Sequence, residues 1–78
     1  MKTADREHLT VLQWNANGIN PKVDELQTQL DALDIDICLI QESKLRQGCT
    51  TPHFPGYKAY RSDRKVTKAG DGLLSLIK

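Results

Sequence analysis

The sequence is poor in the features that would assign it to several large classes of protein. Neither charge sign dominates, because 11 lysines and arginines face 10 aspartates and glutamates, and this excludes a strongly basic nucleic-acid arm and an acidic tail. No apolar run approaches the roughly 20 residues of a membrane span. Residues 1–8 lack the apolar stretch of a secretory signal, and internal repeats are absent. The composition therefore indicates a soluble, intracellular protein without a membrane partner.

Cysteine is also scarce, with Cys38 and Cys49 as the only two. Neither lies in a CxxC or histidine-paired zinc spacing, so a metal or disulfide framework is not indicated. Cys38 stands in an apolar run and is predicted to be a reduced core thiol, while Cys49 follows Gly48 in a loop; a disulfide between them stays open. A chain of 78 residues without a staple is marginal in stability. We therefore expect it to need further polypeptide to fold.

What the sequence does contain is a strand, helix, strand pattern in its first half. Residues 9–14 predict a strand with apolar side chains on both faces, which is typical of a strand buried between two layers. Residues 35–41 predict a second buried strand, and the helix between them completes a βαβ-like unit. Residues 1–8 are interpreted as a disordered leader. The predicted fold class is therefore α/β.

The helix is expected to begin with Asn20 as its N-cap and Pro21 in its first position. Its apolar stripe comprises Val23, Leu26, Leu30 and Leu33. Beyond the second strand, residues 43–56 predict a loop and residues 57–61 a short strand. Residues 73–77 predict a final strand, which we expect to lack neighbours within this chain.

Polar side chains follow the two buried strands. Asn15 and Asn17 come after the first strand and Glu42 after the second. If the strands are parallel, these side chains meet at one edge of the sheet, and their oxygens suit Mg²⁺ with a phosphate-bearing substrate. The residues alone leave a second interpretation open, in which Asn17 and Gly18 form an ordinary turn and Glu42 is a solvated strand end.

The amino-acid sequence of these segments resembles that of the endonuclease/exonuclease/phosphatase superfamily. The matching stretches, in the family's order, are LQWNANGI at 12–19, DICLIQESK at 36–44, PGY at 55–57 and GDGLL at 70–74. The WNANG form and the FPGY stretch resemble the apurinic-endonuclease-like domain that opens the polyprotein of non-LTR retrotransposons. The resemblance covers residues 9–78.

The resemblance implies a fold and an activity. Residues 9–78 would be the N-terminal part of a truncated domain whose fold is a four-layer α/β sandwich. The parent would be a Mg²⁺-dependent phosphodiesterase that nicks DNA, with Mn²⁺ as a substitute and without a small-molecule cofactor. It would work in the nucleus if the retroelement is functional.

The resemblance also implies roles for single residues. Glu42 matches the family's metal-binding glutamate, and Asn15 matches an asparagine that orients groups near the scissile phosphate. Asn17 matches a metal-site position that is acidic in repair-type members. The resemblance gives Lys44 and Gly72 no chemical role. The family's Asp/His pair, its mid-domain tyrosine and its Asp-x-Asn segment have no counterpart in the 78 residues, so we expect this chain alone to be inactive.

A basic segment forms the second candidate site. Basic side chains beside two tyrosines suit phosphate neutralisation and base stacking, and a solvated loop is the equal alternative. The candidate nucleic-acid-binding residues are Arg61, Arg64, Lys65 and Lys68. Besides the retrotransposon-type endonuclease, two functions stay open for the chain. These are a truncated abasic-site DNA repair endonuclease and a non-enzymatic nucleic-acid-binding or remnant fragment.

Overall fold

The computed structural model of the chain describes residues 2–6, 9–45, 48–62 and 72–78. Within these ranges, five strands form one sheet in the order β1-β2-β3-β5-β4. The elements are β1 (Lys2–Arg6), β2 (Leu9–Asn15), a 3₁₀ helix (Asn20–Lys22), α1 (Val23–Ala32), β3 (Ile37–Gln41), β4 (Lys58–Ser62) and β5 (Leu73–Ile77). The predicted α/β class is confirmed.

The two strands that frame the helix are parallel neighbours, as the βαβ pattern predicts. Their register pairs Val11 with Ile37 at one end and Asn15 with Gln41 at the other. Asp36 fixes the start of β3, since its backbone N–H donates to the Thr10 carbonyl and its carboxylate accepts the Thr10 N–H, both at 2.9 Å. The carboxyl ends of β2 and β3 therefore lie at the same edge of the sheet.

The expectation that the last strand lacks neighbours is wrong. β5 lies between β3 and β4 and pairs antiparallel with both. Sequence patterns relate strands that are close in the chain, whereas β5 pairs with β3, which lies more than 30 residues earlier. Both edges of β5 are thereby paired.

The expectation of a disordered leader over residues 1–8 is wrong for five of its members. Lys2–Arg6 form β1, which pairs antiparallel with β2. This segment has no apolar alternation, so its strand depends on the backbone groups that the edge of β2 offers. The other three positions, 1, 7 and 8, lie outside the described residues.

The core lies between α1 and one face of the sheet. Leu26 and Leu30 of α1 are fully buried, as the predicted stripe requires. They share one apolar cluster with side chains from β2, β3 and β5, namely Leu12, Cys38, Ile40, Leu74 and Leu76. The thiol prediction for Cys38 is confirmed, because it is buried and both Cys38 and Cys49 are free.

Both ends of α1 differ from the prediction. Asn20 is the first residue of the 3₁₀ helix and not an N-cap, and the residue before α1, Lys22, makes no side-chain capping bond. At the other end Leu33 is 47% exposed, because the helix stops at Ala32 and the chain turns at Asp34 with φ +49°. The stripe therefore ends one turn earlier than predicted.

The turn after α1 is a Schellman motif with an aspartate in the left-handed position. The Ile35 N–H donates to the Leu30 carbonyl at 3.0 Å, and the Asp34 N–H donates to the Asp31 carbonyl at 3.4 Å. These two bonds define the motif, in which glycine is the usual left-handed residue. The motif delivers the buried Ile35 to the core directly before β3.

The second face of the sheet is uncovered in the described part of the chain, contrary to the prediction of a strand buried on both sides. Because side chains alternate along a strand, the register places one set of apolar residues on the face away from α1. Its large exposed members are Leu9, Leu39, Tyr60, Leu73 and Ile77. None of the described helices has the length and apolar character that a membrane span requires.

Candidate functional site

The candidate site lies at the edge of the sheet where β2 and β3 end. Asn15 is the last residue of β2, and Glu42 follows β3 directly. The Asn15 side-chain nitrogen Nδ2 donates a hydrogen bond to the Glu42 carboxylate oxygen Oε2. The two side chains that the sequence placed at one edge are therefore in direct contact, 27 residues apart in the chain.

The loop after β2 continues the backbone pairing with β3 past the end of the strands. Its N–H groups at Ala16, Gly18 and Ile19 donate to the carbonyls of residues 41, 42 and 43 at 2.9, 2.8 and 2.9 Å. Ala16 and Ile19 are fully buried and anchor the loop. Asn17 lies between them with an exposed side chain and φ +48°, which asparagine tolerates. Asn17 is linked to Glu42 only through the backbone hydrogen bond from the next residue, Gly18, to the Glu42 carbonyl.

The segment that carries Glu42 has an unusual backbone. Glu42 and Lys44 both have positive φ, at +52° and +55°. Ser43 between them is 1% exposed, and its N–H donates to the Gly72 carbonyl at 3.2 Å. Its hydroxyl Oγ has no hydrogen-bond partner in the described structure. Sequence reasoning gave Ser43 and Gly72 no role, although both stand within the quoted motifs.

Two lysines flank the site. The Lys22 ammonium donates to the Ala16 carbonyl and lies 5.5 Å from the centroid of the Trp14 ring. Trp14 itself is partly buried against the core, as expected for a strand residue. The Lys44 side chain runs beside Gly18, because a Cβ added there would lie 3.8 Å from its Cδ. Nothing in the sequence singled out Lys22, whose position depends on the 3₁₀ turn.

The basic segment is described only in part. Arg61 lies on β4, where its guanidinium donates to the Cys49 carbonyl at 2.6 Å and the Thr51 hydroxyl at 3.0 Å. This contact ties the loop before β4 to the sheet. The other three candidates, Arg64, Lys65 and Lys68, lie outside the described residues.

The two tyrosines near the basic segment differ in their surroundings. The Tyr57 hydroxyl donates to the Ile35 carbonyl, and burial raises the pKa of Tyr57 above its ordinary value. Tyr60 is 56% exposed on the uncovered face of the sheet. Tyr57 thus supports the turn after α1, and of the two only Tyr60 presents most of its ring to solvent.

The donor set fits a hard cation that keeps much of its water. The carboxylate of Glu42 has a second oxygen beyond the one bound to Asn15, and the Asn15 carbonyl is a further acceptor. Within the described residues no group of three or more histidine, cysteine or acidic side chains could hold a metal. Proteins often bind Mg²⁺ through one carboxylate together with waters and a substrate phosphate. The described residues fit this arrangement and do not form a cage made of protein ligands alone.

Comparison with known proteins finds similarity in sequence and in structure. Over 71 residues the chain is 34% identical to the probable RNA-directed DNA polymerase from transposon X-element of Drosophila melanogaster, covering 90% of this chain and 8% of that protein. The catalytic domain of Xenopus laevis APE2 superposes with a TM-score of 0.67 and 30% identity, over 87% of this chain and 23% of that one. No protein-family model matches.

A third relative is the 3′ phosphatase NExo from Neisseria, solved with a product DNA hairpin. It has a TM-score of 0.67 and 26% identity, over 86% of this chain and 26% of that one. The chain thus spans about a quarter of the solved relatives and under a tenth of the transposon protein. APE2 and NExo share the endonuclease/exonuclease/phosphatase fold, which confirms the four-layer α/β fold class implied by the motifs. In its fold and its sequence motifs, the chain is similar to proteins of the endonuclease/exonuclease/phosphatase superfamily.

Proposed function

We propose that the chain is part of a Mg²⁺-dependent endonuclease domain of a retrotransposon-type polyprotein, which nicks DNA. The observation that carries the proposal is the hydrogen bond between Asn15 and Glu42 at the carboxyl edge of two parallel strands. Two similar proteins support the source and the substrate. A transposon polymerase is similar in sequence, and the similar structure of NExo holds a product DNA hairpin.

In this proposal Glu42 would hold the metal and Asn15 would orient the carboxylate. The amide of Asn15 occupies one carboxylate oxygen and would leave the other for a cation. Asn17 would contribute at most a neutral oxygen, so the site carries one negative charge instead of two. Bound Mg²⁺, or Mn²⁺ in its place, would supply charge stabilisation at a phosphate oxygen. Metal affinity should be weak without DNA, because waters and phosphate complete the coordination.

The general base that phosphodiester hydrolysis needs would come from other parts of the longer protein. His53, the one histidine in the described ranges, lies exposed in the loop between β3 and β4. The chain covers about a quarter of the solved relatives, so three quarters of their length remains to provide the base. We therefore propose that residues 1–78 alone do not nick DNA.

The DNA contacts are proposed to include the basic segment with Arg61, Arg64, Lys65 and Lys68. Ser62 at the end of β4 and Leu73 at the start of β5 lie at the same edge of the sheet as the site. Phosphate contacts by such residues make binding weaken as salt rises.

The test of the metal site uses the 78-residue chain and Mn²⁺. Water-proton relaxation measures Mn²⁺ binding to the wild type, to Glu42→Gln and to Glu25→Gln, a matched control in the exposed first turn of α1. We expect Glu42→Gln to lower the Mn²⁺ affinity by on the order of tenfold or more, since it removes the carboxylate ligand. The control should bind like the wild type. Equal binding by all three chains would refute the proposed metal site.

A second candidate, a truncated abasic-site repair endonuclease, is favoured by the likeness to APE2 and NExo. The gene sequence after residue 78 separates the two, because a reverse transcriptase frame is expected of a retroelement and not of a repair endonuclease.

A non-enzymatic nucleic-acid-binding or remnant fragment would bind DNA in a salt-dependent way that Glu42→Ala leaves unchanged. Mg²⁺-dependent nicking by residues 1–78 that Glu42→Ala abolishes would contradict the proposed inactivity.

A further inference from the structure

The backbone at Glu42 is held in a conformation that the residue does not favour. Its φ of +52° lies in the left-handed region, and Lys44 two residues later has φ +55°. Non-glycine residues keep such conformations only where their surroundings enforce them. Something must therefore hold the segment around Glu42, and this determines where its carboxylate lies.

Two elements hold the segment from opposite sides. On one side the loop after β2 donates the Gly18 N–H to the Glu42 carbonyl at 2.8 Å and the Ile19 N–H to the Ser43 carbonyl at 2.9 Å. On the other side the Ser43 N–H donates to the Gly72 carbonyl at 3.2 Å. The residue after Glu42 thus joins the site to the start of β5.

The contact between Ser43 and Gly72 leaves no spare room. A Cβ at Gly72 would lie 2.8 Å from the Ser43 hydroxyl oxygen, closer than real Cβ contacts. Gly72 is buried and has φ +135°, which favours glycine. The Ser43 hydroxyl is buried without a hydrogen-bond partner, which disfavours the folded state. The hydroxyl therefore acts at this point through its close contact with Gly72 and not through a hydrogen bond.

We infer that Ser43 and Gly72 are positioning residues, whose close contact holds the Glu42 carboxylate against Asn15 for metal binding. The inference rests on the proposed function for the metal and on the described geometry for the contact. The hydroxyl fills the gap between the two segments, so either an empty gap or an added methyl group should displace Glu42.

Three variants of the 78-residue chain test this contact. Ser43→Ala empties the gap, Gly72→Ala overfills it, and the double variant Ser43→Ala/Gly72→Ala puts a methyl group where the hydroxyl was. Gly56→Ala is the matched control for backbone strain, because Gly56 has φ +87° but a Cβ there meets nothing within 4 Å. Mn²⁺ affinity and urea unfolding are measured for each.

We expect each single variant to weaken Mn²⁺ binding by on the order of tenfold, as loss of support for a ligand does. The double variant should recover most of the affinity. Ser43→Ala should unfold at the same or a higher urea concentration, because it removes an unpaired buried hydroxyl. Lower affinity with unchanged or higher stability is a result that a merely structural role would not give. Gly56→Ala should lose stability but keep its affinity.

Three outcomes overturn the inference: unchanged affinity in both single variants, additive losses in the double variant, or an equal loss in the Gly56→Ala control. If Gly72→Ala does not fold, Ser43→Ala still decides, because it carries neither the collision nor the strain of an alanine at φ +135°. If Glu42→Gln binds Mn²⁺ like the wild type, the proposed function fails separately. The nuclear magnetic resonance shift of the Asn15 side-chain amide, which needs no metal, then shows whether Ser43→Ala displaces the pair.

Discussion

At the residue scale, burial gives the two cysteines different chemistry. Cys38 is fully buried between α1 and the sheet, and burial raises the pKa of its thiol to about 12. Cys49 is exposed in the loop before β4. The thiolate is the reactive form of cysteine, so Cys38 should be inert while the chain is folded.

This difference predicts a pH dependence of stability. The unfolded chain loses the Cys38 proton near pH 9, while the folded chain holds it to about pH 12. Because the folded pKa is the higher one, the free energy of unfolding is fully supported by the neutral thiol well below pH 9 and falls as the pH rises from about 9 toward about 12. Urea unfolding under reducing conditions at several pH values measures the change in free energy.

Cys38→Ala is the control, since it lacks the titrating thiol but keeps every other group. Its unfolding free energy should be lower at pH 7 because of the cavity, and its slope above pH 9 should be shallower than that of the wild type. Parallel slopes would show that Cys38 is not the titrating group. Iodoacetamide should modify Cys49 in the folded chain and Cys38 only in urea, as mass spectrometry can determine.

The sequence identified Asn15 and Glu42 but not their supports, for a physical reason. Asn15 ends β2 and Glu42 directly follows β3, and alternation patterns locate the ends of strands. Ser43, Gly72 and Lys22 depend on contacts between backbone segments that the pattern does not relate. Their positions follow from loop geometry, such as the positive φ at Glu42. A single sequence predicts which residues reach the edge of the sheet but not what holds them there.

At the element scale, the residue in the turn that ends α1 is not the most stabilising one for its backbone conformation. Asp34 occupies the left-handed position of the Schellman motif with φ +49°, and its exposed carboxylate pairs with Lys78. The exposed ion pair contributes little to stability. The backbone conformation is the larger effect, because side chains other than glycine are disfavoured there.

We predict that Asp34→Gly is more stable than Asp34→Ala by about 1 kcal/mol. Alanine in the left-handed region costs roughly 1–2 kcal/mol, and glycine loses about 0.4–1 kcal/mol through its freer unfolded chain. Both variants lack the ion pair to Lys78, so their difference isolates the backbone effect. Urea unfolding measures it, and equal stability of the two variants would contradict the motif.

Element prediction succeeded where patterns are local and failed where pairing is not. β2, α1 and β3 follow from apolar periodicity within 33 residues, 9 to 41. β1 has no such pattern, and the position of β5 between β3 and β4 depends on which edges remain open. Leu33 matched the helical stripe but lies beyond the helix, because the turn at Asp34 intervenes.

At the scale of the whole molecule, the described sheet has one face buried under α1 and one face exposed to solvent. The uncovered face carries five large exposed apolar side chains, among them Leu39 at 40% and Leu73 at 55% exposure, and contiguous apolar patches mark interaction surfaces. A second sheet packed face to face is a common cover for such a face. Without that layer, the isolated chain should associate through it.

We predict that Leu39→Lys reduces self-association of the 78-residue chain while leaving it folded. Leu39 stands in the row of Gln13 and Ser75 near the middle of the uncovered face, where a lysine stays in water. Sedimentation velocity over a range of concentrations measures the association. A wild-type chain that stays monomeric, or a variant that associates equally, would contradict the prediction.

Ile40→Lys is the matched control on the other face. Ile40 is 1% exposed in the core cluster, so a lysine there would bury an unpaired charge and unfold the chain. Circular dichroism separates this outcome from the folded Leu39→Lys chain. The contrast between neighbouring positions tests the register of β3 directly.

The order of the strands also determines when each strand can find its partner during synthesis. β4 is synthesised before β5 but pairs with β5 alone among the described strands, and β3 waits for the same partner. Until residues 73–77 have left the exit tunnel, the nascent chain has an open edge on β3 and a β4 without a place in the sheet. Such edges are templates for wrong pairing. The contact between Ser43 and Gly72 beside Glu42 can therefore form only after the polypeptide between β3 and β5 has been made.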